Sequence, residues 1–166
     1  MSSLVGKCIM QQCLSAKLMV KPAEGDDSPA QYVQINQGVV VFICFLKDAA
    51  IDHLPKIVKS ILEVRLSFSE ENQKRVSIMD LPGDVLIVPQ ATLGGRMKGK
   101  AIQYHNNVSK ELGQQLYSDF VAQMKESFEK NRTSKPNDCV VHSGTYGNLQ
   151  VLNMETNGPY TTILEF

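Results

Sequence analysis

The stretch 32-YVQINQGVVVFICFL-46 decides the fold class of this chain. Residues 39–46 form a continuous apolar run, and the turn-forming triplet Asn36-Gln37-Gly38 separates them from the shorter strand-like segment 32–35. Two strand-like segments joined by a short Gly-containing connection predict a β-hairpin. The apolar run predicts that the second strand is buried on both faces.

Two amphipathic helices are predicted further along the chain. We expect Asp52 to cap the first helix, because Pro55 stands where a missing N–H group is tolerated. Its residues at helical spacing are Leu54, Val58, Ile61, Leu62 and Arg65. In the second helix the apolar residues recur every four positions: Val108, Leu112, Leu116, Phe120, Met124 and Phe128. Gly113 inside this helix costs about 1 kcal/mol relative to alanine, so we interpret it as a close packing contact.

The remaining strands and loops complete one predicted domain over residues 1–166. Further strands are expected at 8–20, 85–88, 150–154 and 160–166, and the second of them should end or become an edge strand at Pro89. Segments rich in Gly, Pro or charge predict flexible loops at 21–31 and 94–101. The predicted fold class is α/β of mixed α+β type, with a mostly antiparallel, barrel-like sheet and two main helices.

Composition excludes several classes of protein. The 166 residues include 17 basic and 17 acidic side chains, so a protein that coats long nucleic acid is not indicated and any RNA contact must be local. No apolar run reaches the roughly 18 residues of a membrane span, and the first residues lack a signal-peptide core. We interpret the chain as cytoplasmic, with reduced and mostly buried thiols. The cysteines are Cys8, Cys13, Cys44 and Cys139.

Conventional catalytic machinery is not evident from the sequence. Its histidines are scattered, none has a nucleophilic Ser or Cys in a suitable context, and the acidic pairs lie in polar loops where solvated charge is expected. These residues are His53, His105 and His142, with Asp26-Asp27 and Glu70-Glu71. No phosphate-binding loop, dinucleotide fingerprint or Cys/His cluster occurs. We therefore expect no metal and no organic cofactor.

Two short loops carry more information together than either does alone. The first is Pro89-Gln90-Ala91-Thr92-Leu93 at the end of a buried strand, and the second is Thr156-Asn157-Gly158-Pro159-Tyr160-Thr161 between the last two strands. As a spaced pair they resemble the signature motifs of the D-aminoacyl-tRNA deacylases, typically Ser-Gln-Phe-Thr-Leu and Asn-x-Gly-Pro-Val-Thr. The resemblance runs over nearly the whole chain and implies the fold of that family.

The departures from the family pattern resemble its animal branch. Pro89 stands where the family has Ser, Ala91 where it has Phe, and Tyr160 where it has Val. Gln12 stands where most members carry an Arg that braces the Gly-Pro element, and residues 21–31 form an insertion relative to the compact bacterial form.

The resemblance implies a hydrolase that removes wrongly attached amino acids from tRNA. It implies a homodimer in which Gly158 and Pro159 of one subunit enter the partner's pocket, where their carbonyls receive the substrate amino group. The catalytic candidates are Gln90, Ala91 and Thr92. Main-chain N–H groups near Ala91 and Thr92 would stabilise an oxyanion while the ribose 2′-hydroxyl assists. The substrate-binding candidates are Pro89, Leu93, Asn157, Gly158, Pro159, Tyr160 and Thr161.

Substrate preference and RNA contact are also implied by the resemblance. A trans Gly158–Pro159 bond would leave space for a small L side chain, so the preferred substrate is L-alanyl-tRNA(Thr), with D-aminoacyl-tRNA as a second class. Arg96, Lys98 and Lys100 are candidates for phosphate contact, although a solvated basic loop has the same composition. The Thr92 hydroxyl could act as a nucleophile or orient water, and orientation is favoured because no base is apparent beside it; the alternative is a hydroxyl satisfied by backbone. The alternative function is a catalytically silent RNA- or ligand-binding module on the same fold.

Overall fold

The computed structural model of the protein describes residues 3–131, 138–158 and 160–166. Over these residues the chain forms a five-stranded sheet, a three-stranded sheet, two small ribbons and two α-helices. The strands are β1 Gly6–Cys13, β2 Ser15–Lys21, β3 Gln31–Ile35, β4 Gly38–Phe45, β5 Ser67–Ser69, β6 Lys74–Val76, β7 Asp84–Pro89, β8 Arg96–Lys98, β9 Ala101–Gln103, β10 Val141–Ser143, β11 Leu152–Glu155 and β12 Thr161–Glu165. The helices are α1 Leu54–Glu63 and α2 Lys110–Asn131.

The two main sheets are open, so the predicted barrel-like closure is wrong, while the mixed α+β class with two helices is confirmed. The five-stranded sheet has the order β10-β7-β4-β1-β12. It is mixed, because β4 and β10 both run parallel to β7 whereas β1 is antiparallel to β4 and β12. The three-stranded sheet, β11-β2-β3, is antiparallel.

The predicted hairpin at 32–46 is wrong, although both of its strands exist. β3 pairs with β2 in the smaller sheet, and β4 pairs with β1 and β7 in the larger one. The cause is a close approach between Gly38 and Asp84, where a Cβ on the glycine would lie 2.0 Å from the Asp84 carbonyl oxygen. The Asp84 carboxylate also accepts a hydrogen bond from the Asn36 N–H group at 2.9 Å. The connection therefore turns from one sheet into the other.

Strand β4 is buried on both faces, as predicted. Val39, Val41 and Ile43 belong to the core cluster that includes the inner faces of both helices. Val40 packs in a second cluster with Leu18 of β2 and residues of β3 and β7. The five-stranded sheet is thus the middle layer, with the helices on one face and the three-stranded sheet on the other.

Both predicted helices form, but α1 ends at Glu63, before Arg65, and α2 begins at Lys110, after Val108. The cap of α1 also differs. Asp52 lies inside a 3-10 turn, Ile51–His53, and the N-cap of α1 is His53 with no side-chain hydrogen bond. The prediction of an Asp52 cap is therefore wrong. In α2 the predicted contact at Gly113 is confirmed, because a Cβ there would lie 2.2 Å from the Tyr146 hydroxyl oxygen. The fully buried residues of α2 are Leu116, Phe120, Met124 and Phe128.

Two other segments differ from their predicted form. Residues 8–20 are not one strand, because Leu14 interrupts them and β1 and β2 belong to different sheets. Segment 94–101, expected to be an irregular flexible loop, contains the hairpin of β8 and β9, with Gly99 at φ +62° in its turn. Glycine is favoured at such a backbone angle. The hairpin carries basic side chains beside the first motif.

Candidate active site

A cavity of about 470 Å³ lies at the end of the parallel pair β4 and β7. The pair ends because Pro89 closes β7 and the Gln90 N–H group makes one more bond, 2.9 Å, to the Ile43 carbonyl. The chain then enters a 3-10 helix, Ala91–Gly94. Of the first-motif residues, Pro89, Gln90, Ala91 and Thr92 line the cavity, and Leu93 does not. This volume lies within the range of small-ligand sites.

The peptide group between Ala91 and Thr92 is held from one side. The Ala91 carbonyl accepts hydrogen bonds from the Asn107 amide nitrogen Nδ2 at 2.8 Å and from the Cys44 thiol at 3.6 Å. The N–H groups of Ala91 and Thr92 are the first two of the 3-10 helix, so the helix itself offers them no acceptor. Among the described residues no other acceptor is found for them. They are available to an anionic or carbonyl oxygen.

Two tyrosines support the opposite wall of the cavity. Tyr146 lines it, and its ring packs against that of Tyr117 with centroids 5.6 Å apart. The Tyr117 hydroxyl donates a hydrogen bond of 2.8 Å to the Gly144 carbonyl, which fixes the start of this wall. Burial raises the pKa of Tyr117, and burial followed by the nearby Cys44 raises the pKa of Tyr146. Both hydroxyls are therefore neutral near pH 7 and are not anionic bases.

The described lining of the cavity contains no carboxylate and no imidazole. Cys44 is present, but burial raises the pKa of its thiol, so it is not a ready thiolate nucleophile. The cationic group in the lining is Lys110, at the start of α2. Gln150 braces the wall through hydrogen bonds of 2.8 and 2.9 Å to the main chain of Thr145. The site can therefore offer main-chain N–H groups, hydroxyls and amides, without a side-chain acid–base pair.

The second motif is held by a glutamine that sequence reasoning missed. Gln11 donates from Nε2 to the Gly158 carbonyl at 3.4 Å and to the Thr156 hydroxyl at 3.2 Å. Thr161 donates its hydroxyl to Oε1 of the same glutamine. Gln12, which stands at the position of the family's bracing Arg, instead donates to the Leu66 carbonyl at 3.3 Å. Gln11 is a polar residue buried in strand β1, and its burial is known only from the structure.

The described residues of the two motifs line different cavities within one chain. Asn157 and Tyr160 border a second cavity of about 260 Å³, shared with Gln12. The Tyr160 ring also lies 5.8 Å from the Arg75 guanidinium. Pro159 is outside the described residues, and so is the geometry of the bond that joins it to Gly158.

The basic hairpin presents its side chains to solvent. Arg96 and Lys98 lie on β8 and Lys100 lies in the turn, all exposed, and no ion pair involves them in the described part of the chain. Met97 pairs with Ile102 across the hairpin, and both are exposed. Where the chain is described, no group of three or more His, Cys, Asp or Glu side chains could hold a metal ion. No described helix has the length and apolar character needed to cross a membrane. All four cysteines are free and buried, as predicted.

Comparison with known proteins identifies the family. The sequence profile of the D-Tyr-tRNA(Tyr) deacylase family matches residues 9–165. The chain belongs to this family. It is 49% identical over 160 residues to human D-aminoacyl-tRNA deacylase 2, an alignment that covers 96% of this chain and 94% of the relative. The chicken protein of the same name is 48% identical over 163 residues, covering 98% and 96%.

A solved structure agrees with this family membership. A probable eukaryotic D-amino acid tRNA deacylase superposes with a TM-score of 0.82 at 27% identity, covering 98% of this chain and all of the other. The resemblance drawn from the two motifs is thereby confirmed, including the similarity to animal members. The protein is accordingly an aminoacyl-tRNA deacylase by family, a hydrolase of ester bonds.

Proposed function

We propose that this deacylase is an editing enzyme whose preferred substrate is L-alanyl-tRNA(Thr), with D-aminoacyl-tRNA as a second substrate class. The observation that carries the proposal is the cavity at the first motif, lined by Ala91 and Thr92 with two unpaired main-chain N–H groups and, in its described lining, by no carboxylate or imidazole. Such a site suits a reaction in which the enzyme stabilises charge and the substrate supplies its own assisting hydroxyl. We expect it to act in the cytoplasm.

In the proposed reaction, water attacks the ester carbonyl carbon and the bond to the ribose oxygen breaks. The negative charge that develops on the carbonyl oxygen is stabilised by the N–H groups of Ala91 and Thr92. Loss of one such donor typically costs about 10²–10³ in rate. The neighbouring ribose 2′-hydroxyl assists proton transfer, and Gln90 and the Thr92 hydroxyl orient the water. Pro89 has no N–H group and cannot act as a donor.

The second motif is proposed to act across a homodimer. Gly158 and Pro159 would enter the partner's cavity and receive the substrate amino group, with Asn157, Tyr160 and Thr161 around them. Two observations support this arrangement. The described residues of the motif do not border their own chain's first cavity, and the adjacent edge strand β12 exposes Ile163 to 65%. An unpaired edge strand with an exposed apolar residue favours association with another chain.

The preference for L-alanine rests on two side chains and one peptide bond. Ala91 lines the cavity where the family's aromatic ring would bury about 150–250 Å², so more room is available beside the ester. A trans bond at Pro159 would turn a carbonyl away from the space that an L side chain occupies. Tyr160 beside that proline is the substitution that we expect to accompany the trans form.

The test compares cleavage of L-alanyl-, D-aminoacyl- and L-threonyl-tRNA by the purified protein. We expect fast cleavage of L-alanyl-tRNA(Thr), slower cleavage of D-aminoacyl-tRNA and little of L-threonyl-tRNA, because a larger side chain is discriminated by about 1–3 kcal/mol per methylene. A crystal structure that resolves the ω angle of Pro159 completes the test. A cis bond with strict rejection of L-alanine would refute the substrate assignment, and no cleavage of any ester would favour the silent binding module.

The shared pocket has a separate test by subunit complementation. One variant replaces Ala91 and Thr92 by proline, which removes both N–H donors, and a second lacks residues 158–159. If each pocket combines two subunits, mixing the inactive variants gives hybrid dimers with one complete pocket and restores roughly a quarter of wild-type activity. Full activity of a monomer at micromolar concentration would refute the shared pocket.

A further inference from the structure

The Asn107 side chain has two unusual features for a residue outside both motifs. Its Nδ2 group donates to the Ala91 carbonyl, and its Oδ1 atom is buried without a hydrogen-bond partner, the one such side-chain atom found among the described residues. Buried polar atoms without a partner are rare and need an explanation. The amide cannot simply be reversed, because Oδ1 would then face the Ala91 oxygen and both atoms are acceptors.

Gly94 explains where the unpaired oxygen lies. A Cβ on this glycine would be 1.8 Å from Oδ1 and 2.7 Å from Cγ of Asn107, so the amide oxygen rests directly against the glycine α-carbon. The Asn107 amide therefore spans the 3-10 helix from the Ala91 carbonyl at its start to Gly94 at its end. Its own backbone is fixed by a 3.0 Å bond to the Tyr104 carbonyl and by a bridge to Leu46.

The direction of one N–H group follows from this tether. The Ala91 carbonyl and the Thr92 N–H belong to a single planar trans peptide group, in which they point in opposite directions. Asn107 holds the carbonyl edge at 2.8 Å, with Cys44 as a weaker second donor. The Thr92 N–H on the other edge cannot rotate without breaking these bonds.

We infer that Asn107 is a positioning residue that sets the orientation of the Thr92 N–H group, and thereby the rate of ester cleavage. This inference rests on the proposed function, in which that N–H group stabilises the oxyanion. Asn107 acts through the Ala91–Thr92 peptide and is not itself the oxyanion donor. Gly94 is required because any side chain there would displace the amide.

The first test replaces Asn107 with aspartate, which has the same shape but offers no donor when ionised. At pH 7.5 we expect kcat to fall by about ten- to hundred-fold, the range expected for a small misplacement of a reacting group, with KM little changed. Protonation of the new carboxyl restores an O–H donor, so the ratio of variant to wild-type kcat should rise as pH falls toward 5. A merely structural role gives no such recovery.

Other titratable groups near Asn107 are present in both proteins and cancel in this ratio. They are Cys44 on β4, Tyr104 and His105 on the preceding segment, Lys110 at the start of α2 and Tyr146 on the opposite wall. The matched control is Asn106→Asp, which makes the same charge change one residue away and should leave kcat near the wild-type value at every pH. A ratio for Asn107→Asp that does not change with pH would overturn the inference.

A second measurement needs no catalysis. In ¹⁵N–¹H spectra, Asn107→Ala should shift the Thr92 amide resonance and speed its hydrogen exchange, and Asn106→Ala should not. Gly94→Ala should reproduce both effects. When Asn107 is already alanine, adding Gly94→Ala should change the Thr92 resonance and its exchange rate much less. An unmoved Thr92 amide in folded Asn107→Ala overturns the inference. A shifted amide in a protein whose wild type cleaves no aminoacyl-tRNA would confirm the tether and refute the proposed function instead.

Discussion

Replacing Asp84 with alanine should be among the most destabilising single substitutions outside the apolar core. The side chain is 6% exposed and joins three parts of the fold. Its Oδ2 atom accepts the Asn36 N–H at 2.9 Å, where the chain passes from β3 to β4. Its Oδ1 atom accepts the Val140 N–H at 3.0 Å, one residue before β10. Asp84 itself begins β7, so its carboxylate fixes the points at which β4 and β10 begin beside β7.

The expected cost follows from the two N–H groups that would lose their acceptor. An unsatisfied buried donor costs about 1–3 kcal/mol, so Asp84→Ala should lower the free energy of unfolding by about 2–6 kcal/mol. Domains of ordinary stability have about 5–15 kcal/mol in total. Asp84→Asn keeps one acceptor oxygen and should cost about half as much. At about 2–4 °C per kcal/mol for a chain of this size, the melting temperature should fall by roughly 4–24 °C for the alanine variant.

Urea unfolding followed by circular dichroism measures this cost, with Asp52→Asn as the control. Asp52 is exposed in the 3-10 turn before α1, which has no side-chain capping hydrogen bond. Asp52→Asn therefore removes one negative charge, as Asp84→Ala does, without breaking such a bond. We expect the control to lie within about 0.5 kcal/mol of wild type. A loss below 1 kcal/mol for Asp84→Ala would show that water or a rearranged turn satisfies both N–H groups, and would refute the reasoning.

Three further outcomes are expected. Ala91→Phe should lower kcat on L-alanyl-tRNA by at least about tenfold, since a ring of this size fills part of the cavity, with an unchanged melting temperature; retained activity in the folded variant would mean that residue 91 does not shape the pocket. Changing Arg96, Lys98 and Lys100 together to alanine should weaken tRNA binding and reduce the slope of log K against log salt by up to about 3; an unchanged slope would show that these side chains are solvated and do not contact phosphate. Burial raises the pKa of Cys8 from 9.0 to about 12, so its contribution to stability is complete below pH 9 and is lost as pH rises toward 12. The cost of Cys8→Ala, measured by urea unfolding, should therefore shrink by up to about 1.4 kcal/mol per pH unit above pH 9, and a constant cost would exclude a buried neutral thiol.

The sequence predicts strands and helices better than it predicts their partners. The run at 39–46 is apolar because β4 is covered on both faces, and that burial is visible in the residues themselves. Its pairing with β7 depends on Gly38 meeting Asp84, a contact between positions far apart in the chain. Local patterns report such contacts poorly, so a short Gly-containing connection predicts a hairpin that does not form.

For the site, too, some residues could be predicted from the sequence and others could not. The first motif could be located because its residue types and spacing are characteristic, and the structure places four of its residues around one cavity. Asn107 and Gln11 could not be found, because an amide has no sequence pattern that shows which backbone group it will meet. Their roles appear once the fold brings them to the Ala91 carbonyl and to the Gly158 carbonyl.

The pairing of β1 with β12 has a consequence for synthesis and folding. Lys7 is opposite Glu165 in this ladder, so β1, the first described strand, can complete its pairing only after β12, the last described strand, has been synthesised. Long sequence separation slows folding, because loop closure comes before the contacts that compensate for it. During elongation β1 can pair with β4, but its other edge stays open. Gly158, which lies between β11 and β12 in the chain, therefore takes its place only once β12 has been synthesised. A nascent chain would expose that edge of β1 until then, and the second motif could not reach its folded position before β12 pairs with β1.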